Sequence, residues 1–260
     1  MRQTATALFD DPLSASWLVT PRRSGEARAT LVVFPYAGLG GSLAAHLSRE
    51  LDLPVAVHGI QLPGHEARLS EPPLTRMAAV IDAALPTLAR LTREPCILMG
   101  CSLGALIAYE LALRLAALGT PPDHLVLLSC AAPHLPRTSR ALSALPDAEF
   151  LAAIDDRFGG VPDAVKRSAE LRQLLLPTLR ADMALFDAYR WSAPPPLDVP
   201  ILTIAGRDDR QISPAEMLPW EELTTARTEH RVVDGGHFVL RDDPAAVAAV
   251  LHAAFRGLAA

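Results

Sequence analysis

Residues 98–104 read Leu-Met-Gly-Cys-Ser-Leu-Gly, so two glycines flank a serine where an apolar run gives way to a helical pattern. The run "CILMG" at 96–100 predicts a buried strand, and "ALIAYELALRLAALG" at 105–119 predicts a long helix. A Gly-x-Ser-x-Gly pattern between a strand and a helix is typical of a turn that presents the serine as a nucleophile. Because three fixed positions match by chance in roughly one chain in ten of this size, a turn with no chemical role is the alternative.

The two glycines of this turn have a steric reason. We expect Ser102 to sit at strained backbone angles, where a side chain at position 100 or 104 would collide across the turn. The helix after Ser102 directs N–H groups and the positive end of its dipole towards the reacting oxygen. Cys101 is the other possible nucleophile, but its side chain is expected to point away from that of Ser102, which favours a packing role.

Apolar runs alternate with helical patterns along the chain, and this alternation predicts an α/β fold with a mostly parallel sheet flanked by helices. Several runs lack strict alternation of apolar and polar residues, which indicates strands buried on both faces. The predicted strands are 30–34, 55–60, 96–100, 124–130, 201–206 and 230–236. The predicted helices are 75–93, 103–118, 214–225 and 243–257.

No convincing strand is predicted between Cys130 and Pro200, where helical pieces are punctuated by glycines and prolines. We interpret about 135–195 as a helical insertion within a single domain that spans 1–260. Such an insertion suits a lid over a site at the carboxyl ends of the strands. The alternative is a helical flank that only completes the core.

Composition excludes several classes of protein. The chain has 260 residues, half of them apolar, and a formal net charge of −5, which argues against a nucleic-acid-binding surface. No segment predicts a signal peptide or a membrane span. The three cysteines lack the spacing of a metal site and fit a reducing compartment. We therefore expect a monomeric cytoplasmic protein.

A serine hydroxyl needs a base to accept its proton, and a carboxylate to orient that base. Among the eight histidines, His237 follows a predicted strand late in the chain, as expected for the order Ser, Asp, His. His65 and His134 also follow strands and are its rivals. Asp208 and Asp209 lie on a loop after the strand 201–206, although paired acids there could simply form a solvated turn.

A tetrahedral intermediate also needs two N–H donors for its oxyanion. Leu103, the residue after the serine, supplies one of them. The loop "FPYAGLGG" at 34–41, after the first strong predicted strand, is the expected source of the other. Its glycines allow a close approach of backbone to substrate, although they could equally serve only a tight turn.

Beyond these residues, the chain resembles a known family, the type II thioesterases of polyketide synthase and nonribosomal peptide synthetase pathways. The shared stretches, in family order from about residue 16 onward, are "FPYAG", "QLPGHEARLSEPP", "GCSLG", "LPDAEFL", "LLLPTLRAD", "GRDDRQISPAE" and "GGHFVL". The resemblance implies an α/β-hydrolase fold with a mobile helical lid. It also implies hydrolysis of acyl thioesters on the phosphopantetheine arm of a carrier protein.

The resemblance also implies roles for particular residues. Ser102 matches the nucleophile, His237 the base and Asp209 the acid, because "ISP" at 212–214 sets the register of the motif. The oxyanion donors fall on the backbone N–H groups of Ala37 and Leu103. The residues expected to bind substrate are Tyr36, Cys101, Met183, Phe186 and Phe238.

Two departures from the family pattern bear on substrate preference. Cys101 stands where the family usually has a histidine, and His65 stands where arginine is common. The resemblance implies no metal or cofactor, an acyl or peptidyl carrier protein as partner, and no membrane or nucleic acid. The alternatives are a chain-releasing or cyclising thioesterase, a general carboxylesterase, and a catalytically silent module that binds carrier proteins.

Overall fold

The computed structural model describes residues 16–22, 27–136 and 141–259, and a seven-stranded sheet runs through this part of the chain. In chain order the strands are β1 (Leu18–Arg22), β2 (Ala29–Phe34), β3 (Val55–Ile60), β4 (Cys96–Cys101), β5 (His124–Leu128), β6 (Ile201–Gly206) and β7 (Thr228–Val233). Across the sheet the order is β1-β3-β2-β4-β5-β6-β7. All neighbours are parallel except β1 and β3. The predicted mostly parallel sheet is therefore confirmed.

Helices connect these strands. They are α1 (Leu43–Glu50), α2 (Met77–Leu91), α3 (Leu103–Ala117), α4 (Asp147–Phe158), α5 (Asp163–Arg167), α6 (Ala169–Ala188), α7 (Pro214–Met217), α8 (Val239–Asp242), α9 (Pro244–Ala254) and α10 (Arg256–Ala259). Two 3₁₀ helices span Glu66–Arg68 and Leu218–Leu223. The four predicted helices are present, although 214–225 is α7 continued by a 3₁₀ segment. The sequence prediction missed the eight-residue helix α1 and the edge strand β1, which has only two apolar residues.

Both faces of the sheet are covered, which explains why the strands lack alternation. Along β4, Leu98 joins an apolar cluster with α2 and α3, whereas Ile97 and Met99 join a cluster with α1 and α9. Successive side chains of a strand point to opposite faces, so a strand with helices on both sides is apolar throughout. Every residue of β4 and of β6 is buried.

A third apolar cluster belongs to the helical stretch between β5 and β6. Phe150 and Ile154 of α4 pack with Leu176 and Met183 of α6. Ala37, in the loop after β2, packs against the same cluster. The helices α4 and α6 therefore contact the loops that leave the carboxyl edge of the sheet. Residues 137–140 of the predicted insertion lie outside the described residues.

None of the helices in the described ranges combines the length and the apolar character that a membrane crossing requires.

Candidate active site

The turn at Ser102 is one residue long, because β4 ends at Cys101 and α3 begins at Leu103. Ser102 has φ 53° and ψ −112°, a conformation that costs a non-glycine residue about 1–3 kcal/mol. A Cβ at Gly100 would lie 2.3 Å from the Gly104 carbonyl oxygen, and one at Gly104 would lie 2.3 Å from the Phe34 carbonyl oxygen. A need for glycine is confirmed at both positions, although the collision is across the turn only at Gly100, whereas at Gly104 it is with the end of β2.

Ser102, His237 and Asp209 form one row of hydrogen bonds. The His237 Nε2 atom lies 3.0 Å from Ser102 Oγ, and His237 Nδ1 lies 2.9 Å from Asp209 Oδ2. A carboxylate can only accept, so Nδ1 carries the hydrogen and Nε2 is left to accept the serine hydroxyl hydrogen. The parallel strands β4, β6 and β7 end at the same edge of the sheet, and this brings the three loops together.

Of the two neighbouring acids, the structure brings Asp209 to His237. The Asp209 side chain is fully buried, and its Oδ1 atom accepts hydrogen bonds from the backbone N–H groups of Gln211 (2.9 Å) and Ile212 (3.2 Å). The loop thus wraps around the carboxylate and holds it. Asp208 is exposed, and its backbone N–H donates to the Gly235 carbonyl.

The two rival histidines have other partners. His65 is buried and pairs with Asp182 of α6, at 2.9 Å between His65 Nε2 and Asp182 Oδ2. His134 packs its ring against Trp191, and its Nε2 atom lies 3.3 Å from a carboxylate oxygen of Glu222. Only His237 of the three candidates is bonded to Ser102 among the described contacts.

The two backbone groups predicted to bind an oxyanion belong to residues that line the same cavity as Ser102. Leu103 is the first residue of α3, so its N–H has no acceptor within the helix. Ala37 follows β2 and lines the same cavity as Ser102 and Leu103. The structure therefore brings both residues to the cavity that contains the serine.

This cavity is small, about 40 Å³, and largely apolar. Its walls are formed by Tyr36, Ala37, Ser102, Leu103, Ile154, Phe158, Leu179, Met183, Phe186, His237 and Phe238. Four of the five residues predicted to bind substrate are therefore in the wall. Cys101 is not, because it is fully buried beneath the turn in the cluster with α1 and α9. Burial also raises the pKa of the Cys101 thiol, which disfavours the nucleophilic thiolate.

The sequence prediction missed three wall residues, all from the helical stretch. Ile154 and Phe158 lie one turn apart on α4, and Leu179 lies one turn before Met183 on α6. The Phe158 ring is centred 5.0 Å from that of His237. The spacing i, i+4 marks one face of a helix, but no local signal says that this face meets the serine rather than the core.

In the described part of the chain, no three His, Cys, Asp or Glu side chains cluster in a way that could hold a metal ion. Cys96, Cys101 and Cys130 are buried, and none of them forms a disulfide within the described residues.

A mostly parallel sheet with a serine on the turn between a central strand and its helix defines the α/β-hydrolase fold. Residues 29–255 match the thioesterase domain family, and the chain belongs to that family. The protein is a hydrolase that acts on thioesters.

Individual relatives agree with this placement. A type II thioesterase from the yersiniabactin pathway, YbtT, has a solved structure that superposes with a TM-score of 0.84 at 28% identity, covering 93% of this chain and 99% of that one. RedJ, a thioesterase of the prodiginine pathway of Streptomyces coelicolor, has a TM-score of 0.80 at 34% identity, covering 96% and 92%. The resemblance to the type II thioesterases is confirmed.

A curated relative, linear gramicidin dehydrogenase LgrE of Brevibacillus parabrevis, is 33% identical over 243 residues, which are 90% of each chain. Its name describes an oxidoreductase, whereas the matched family and both of these structures are thioesterases.

Proposed function

We propose that this thioesterase removes acyl groups from the phosphopantetheine arm of an acyl or peptidyl carrier protein in a polyketide or nonribosomal peptide pathway. The observation that carries the proposal is the row Ser102–His237–Asp209 beside a small apolar cavity. The pathways named for YbtT and RedJ support the class of substrate.

In the first half of the proposed reaction, Ser102 Oγ attacks the thioester carbonyl carbon while His237 Nε2 takes the serine proton. Asp209 stabilises the imidazolium, and the backbone N–H groups of Ala37 and Leu103 donate to the oxyanion. The carbon–sulfur bond then breaks, and His237 returns the proton to the sulfur. The pantetheine thiol leaves, and the acyl group remains as an ester on Ser102.

In the second half, His237 takes a proton from water, and the resulting hydroxide attacks the acyl carbon. The ester bond breaks, and His237 gives the proton to Ser102 Oγ. The products are a carboxylic acid and the free enzyme. One histidine carries every proton, so the proposed reaction requires no metal or redox cofactor.

The cavity favours a short acyl group. Its free volume of about 40 Å³ holds only a few water-sized groups, and aromatic and aliphatic side chains form most of its wall. Without movement of the helices that wall it, the cavity therefore fits the editing of short, misloaded acyl groups better than the release of a long product.

We propose that α4 and α6 form a lid within a single domain. These two helices supply Ile154, Phe158, Leu179, Met183 and Phe186 to the cavity wall. A substrate attached to a carrier protein reaches Ser102 only through an opening, so these helices move when a longer chain enters.

The test is a panel of carrier proteins loaded with acetyl, branched and long acyl groups, each followed by intact-protein mass spectrometry. We expect the fastest loss of the acyl group from the acetylated carrier, and none with Ser102→Ala. Faster hydrolysis of p-nitrophenyl esters than of any acyl carrier indicates a general carboxylesterase instead. A cyclised product indicates a releasing enzyme, and carrier binding without turnover contradicts the proposed activity.

We also propose that the enzyme is a monomer and is located in the cytoplasm. The three buried cysteines form no disulfide within the described residues, which fits a reducing compartment. Sedimentation of the purified protein tests the monomer, and fractionation of cells that express it tests the compartment.

A further inference from the structure

A second buried pair of a carboxylate and a histidine lies where α6 meets the loops of the sheet edge. Asp182 Oδ2 is 2.9 Å from His65 Nε2, and both side chains are 3% exposed. The same oxygen accepts a hydrogen bond of 2.7 Å from the backbone N–H of Gly38. One carboxylate oxygen of α6 is thus bonded to two separate loops.

The hydrogen bond from Gly38 to Asp182 restricts the backbone of the preceding residue, Ala37. The Gly38 N–H and the Ala37 carbonyl belong to one rigid peptide plane. Fixing that N–H restricts backbone rotation at Ala37, whose own N–H is the proposed oxyanion donor. Asp182 therefore acts one residue away from the group that contacts the reacting oxygen.

His65 holds the carboxylate in place and supplies its counter-charge. Its Nδ1 atom lies 3.2 Å from the Pro63 carbonyl oxygen, so both ring nitrogens face acceptors, an arrangement that favours the doubly protonated ring. Burial lowers the pKa of His65, but the hydrogen bond and charge of Asp182 outweigh it, so the pKa lies above its usual value. The other titratable group that acts on His65 is Glu66, in the same loop.

The loop of His65 is also bonded to the loop of Ala37. Gln61 donates from Nε2 to the His65 carbonyl and accepts at Oε1 from the backbone N–H of Gly41, at 2.5 and 3.0 Å. The Glu66 carboxylate accepts from the Ser42 hydroxyl at 2.5 Å. The two loops form one hydrogen-bonded unit, and Asp182 attaches this unit to α6.

We propose that Asp182 and His65 are positioning residues, which place the Ala37 oxyanion donor when α6 packs over the cavity. When α6 covers the cavity, it then also brings the oxyanion donors into position. This inference rests on the proposed function, because it assigns Ala37 the role of donor.

The first test compares Asp182→Ala with a matched control, Thr178→Val. Thr178 lies one turn earlier on α6, is buried, and donates to the Gly64 carbonyl at 2.6 Å, so its hydrogen bond attaches the helix to the loop of His65 rather than to Gly38. We expect Asp182→Ala to lower kcat by about 10²-fold with KM within about threefold, as for the loss of one oxyanion donor. We expect Thr178→Val to lower kcat by less than about fivefold. Equal losses, or a change in KM alone, would overturn the proposal.

A double variant separates positioning from stability. Replacing both members of a buried ion pair by apolar residues of similar size is often neutral for stability, whereas removing one is costly. We expect His65→Leu with Asp182→Leu to unfold in urea near the wild-type midpoint and still to lose about 10²-fold in kcat, because Gly38 has no acceptor. A stable double variant with wild-type kcat would refute the inference.

A fluorophosphonate that reacts with Ser102 gives a readout at the oxyanion itself, because its phosphoryl oxygen occupies the same position. The rate of labelling should fall in the Asp182 variants and stay near wild type in Thr178→Val; equal labelling rates in all of them contradict the proposal. If the wild type fails to hydrolyse any acyl carrier but is labelled normally, the proposed function fails while the labelling comparison still tests the positioning role.

Discussion

Two buried carboxylate–histidine pairs in this molecule have the same separation, 2.9 Å, and different surroundings. In the pair Asp209–His237, the second ring nitrogen lies 3.0 Å from the hydroxyl of Ser102, which can donate a hydrogen. In the pair Asp182–His65, the second ring nitrogen lies 3.2 Å from a backbone carbonyl, which can only accept. His237 is therefore able to take and return a proton, whereas each ring nitrogen of His65 faces an acceptor and neither faces a hydroxyl that could give it a proton.

The difference shows that a carboxylate beside a histidine does not by itself define a base. Burial and distance are alike in the two pairs, and the group facing the other nitrogen decides the chemistry. Asp209 lies in the loop after β6, at the edge where parallel strands bring their loops together. Asp182 lies on a helix outside the sheet, and its partner ties that helix to a loop.

We expect the largest effect on kcat when each of the two histidines, His237 and His65, is replaced by glutamine and the two variants are compared. We expect His237→Gln to lower kcat by about 10⁴-fold or more, because no group is left to take the serine proton. We expect His65→Gln to lower kcat by only about tenfold, because glutamine can still donate to Asp182 but leaves its charge unpaired. Steady-state hydrolysis of an acyl carrier protein measures both, and a greater loss at His65 would reverse the two roles.

The next effect concerns the acid of the first pair. We expect Asp209→Asn to lower kcat by about 10⁴-fold, since the amide favours the wrong tautomer of His237. Asp208→Asn is the matched control, because it changes the same charge one residue away on an exposed side chain. Its kcat should stay within about twofold of wild type, and a larger loss at Asp208 contradicts the assignment.

A smaller effect is the pH dependence of stability that the second pair contributes. The bond with Asp182 outweighs burial and raises the pKa of His65 above its ordinary value of 6.5. A group whose pKa is higher in the folded state stabilises the fold fully below its unfolded pKa, and this contribution is lost as pH rises through the folded pKa.

We therefore expect the margin in free energy of unfolding between the wild type and His65→Leu with Asp182→Leu to shrink as the pH rises from about 5.5, because neither leucine titrates. Urea unfolding of both proteins over a series of pH values measures the margin. A margin that is constant, or that grows with pH, is incompatible with a charged His65 in the folded state.

We expect the smallest effect on the free energy of unfolding at an exposed ion pair, which serves as a comparison for the two buried pairs. Arg114 and Asp82 are 3.3 Å apart and 53% and 64% exposed. We expect Asp82→Asn to change the free energy of unfolding by less than about 1 kcal/mol, because solvent and salt screen such a pair. Thermal unfolding at low and high salt measures it, and a loss comparable to that of a buried pair contradicts this expectation.

Much of the fold and of the site could be predicted from short stretches of sequence. Two glycines around Ser102 predict the turn, because their absent side chains answer a local steric need. The order of motifs along the chain points to His237, and the residues "ISP" after Asp209 distinguish it from its neighbour. Cys101, expected in the wall of the cavity, lies beneath the turn, since the same one-residue turn sends adjacent side chains to different sides.

The pairing of His65 with Asp182 could not be predicted, because the two residues are 117 positions apart and neither has a local signal for the other. The wall residues Ile154, Phe158 and Leu179 were missed for a related reason. Helical spacing identifies an apolar face, but only packing decides what that face covers.

By itself, the sequence determined the six strands from β2 to β7, the strained turn at Ser102 and the family, because these depend on residues close together in the chain. The tertiary structure alone decided that Asp182 meets His65, and that Ile154, Phe158 and Leu179 face the cavity. Those contacts depend on how α4 and α6 pack against the edge of the sheet. Long-range packing of this kind is a property of the folded chain as a whole.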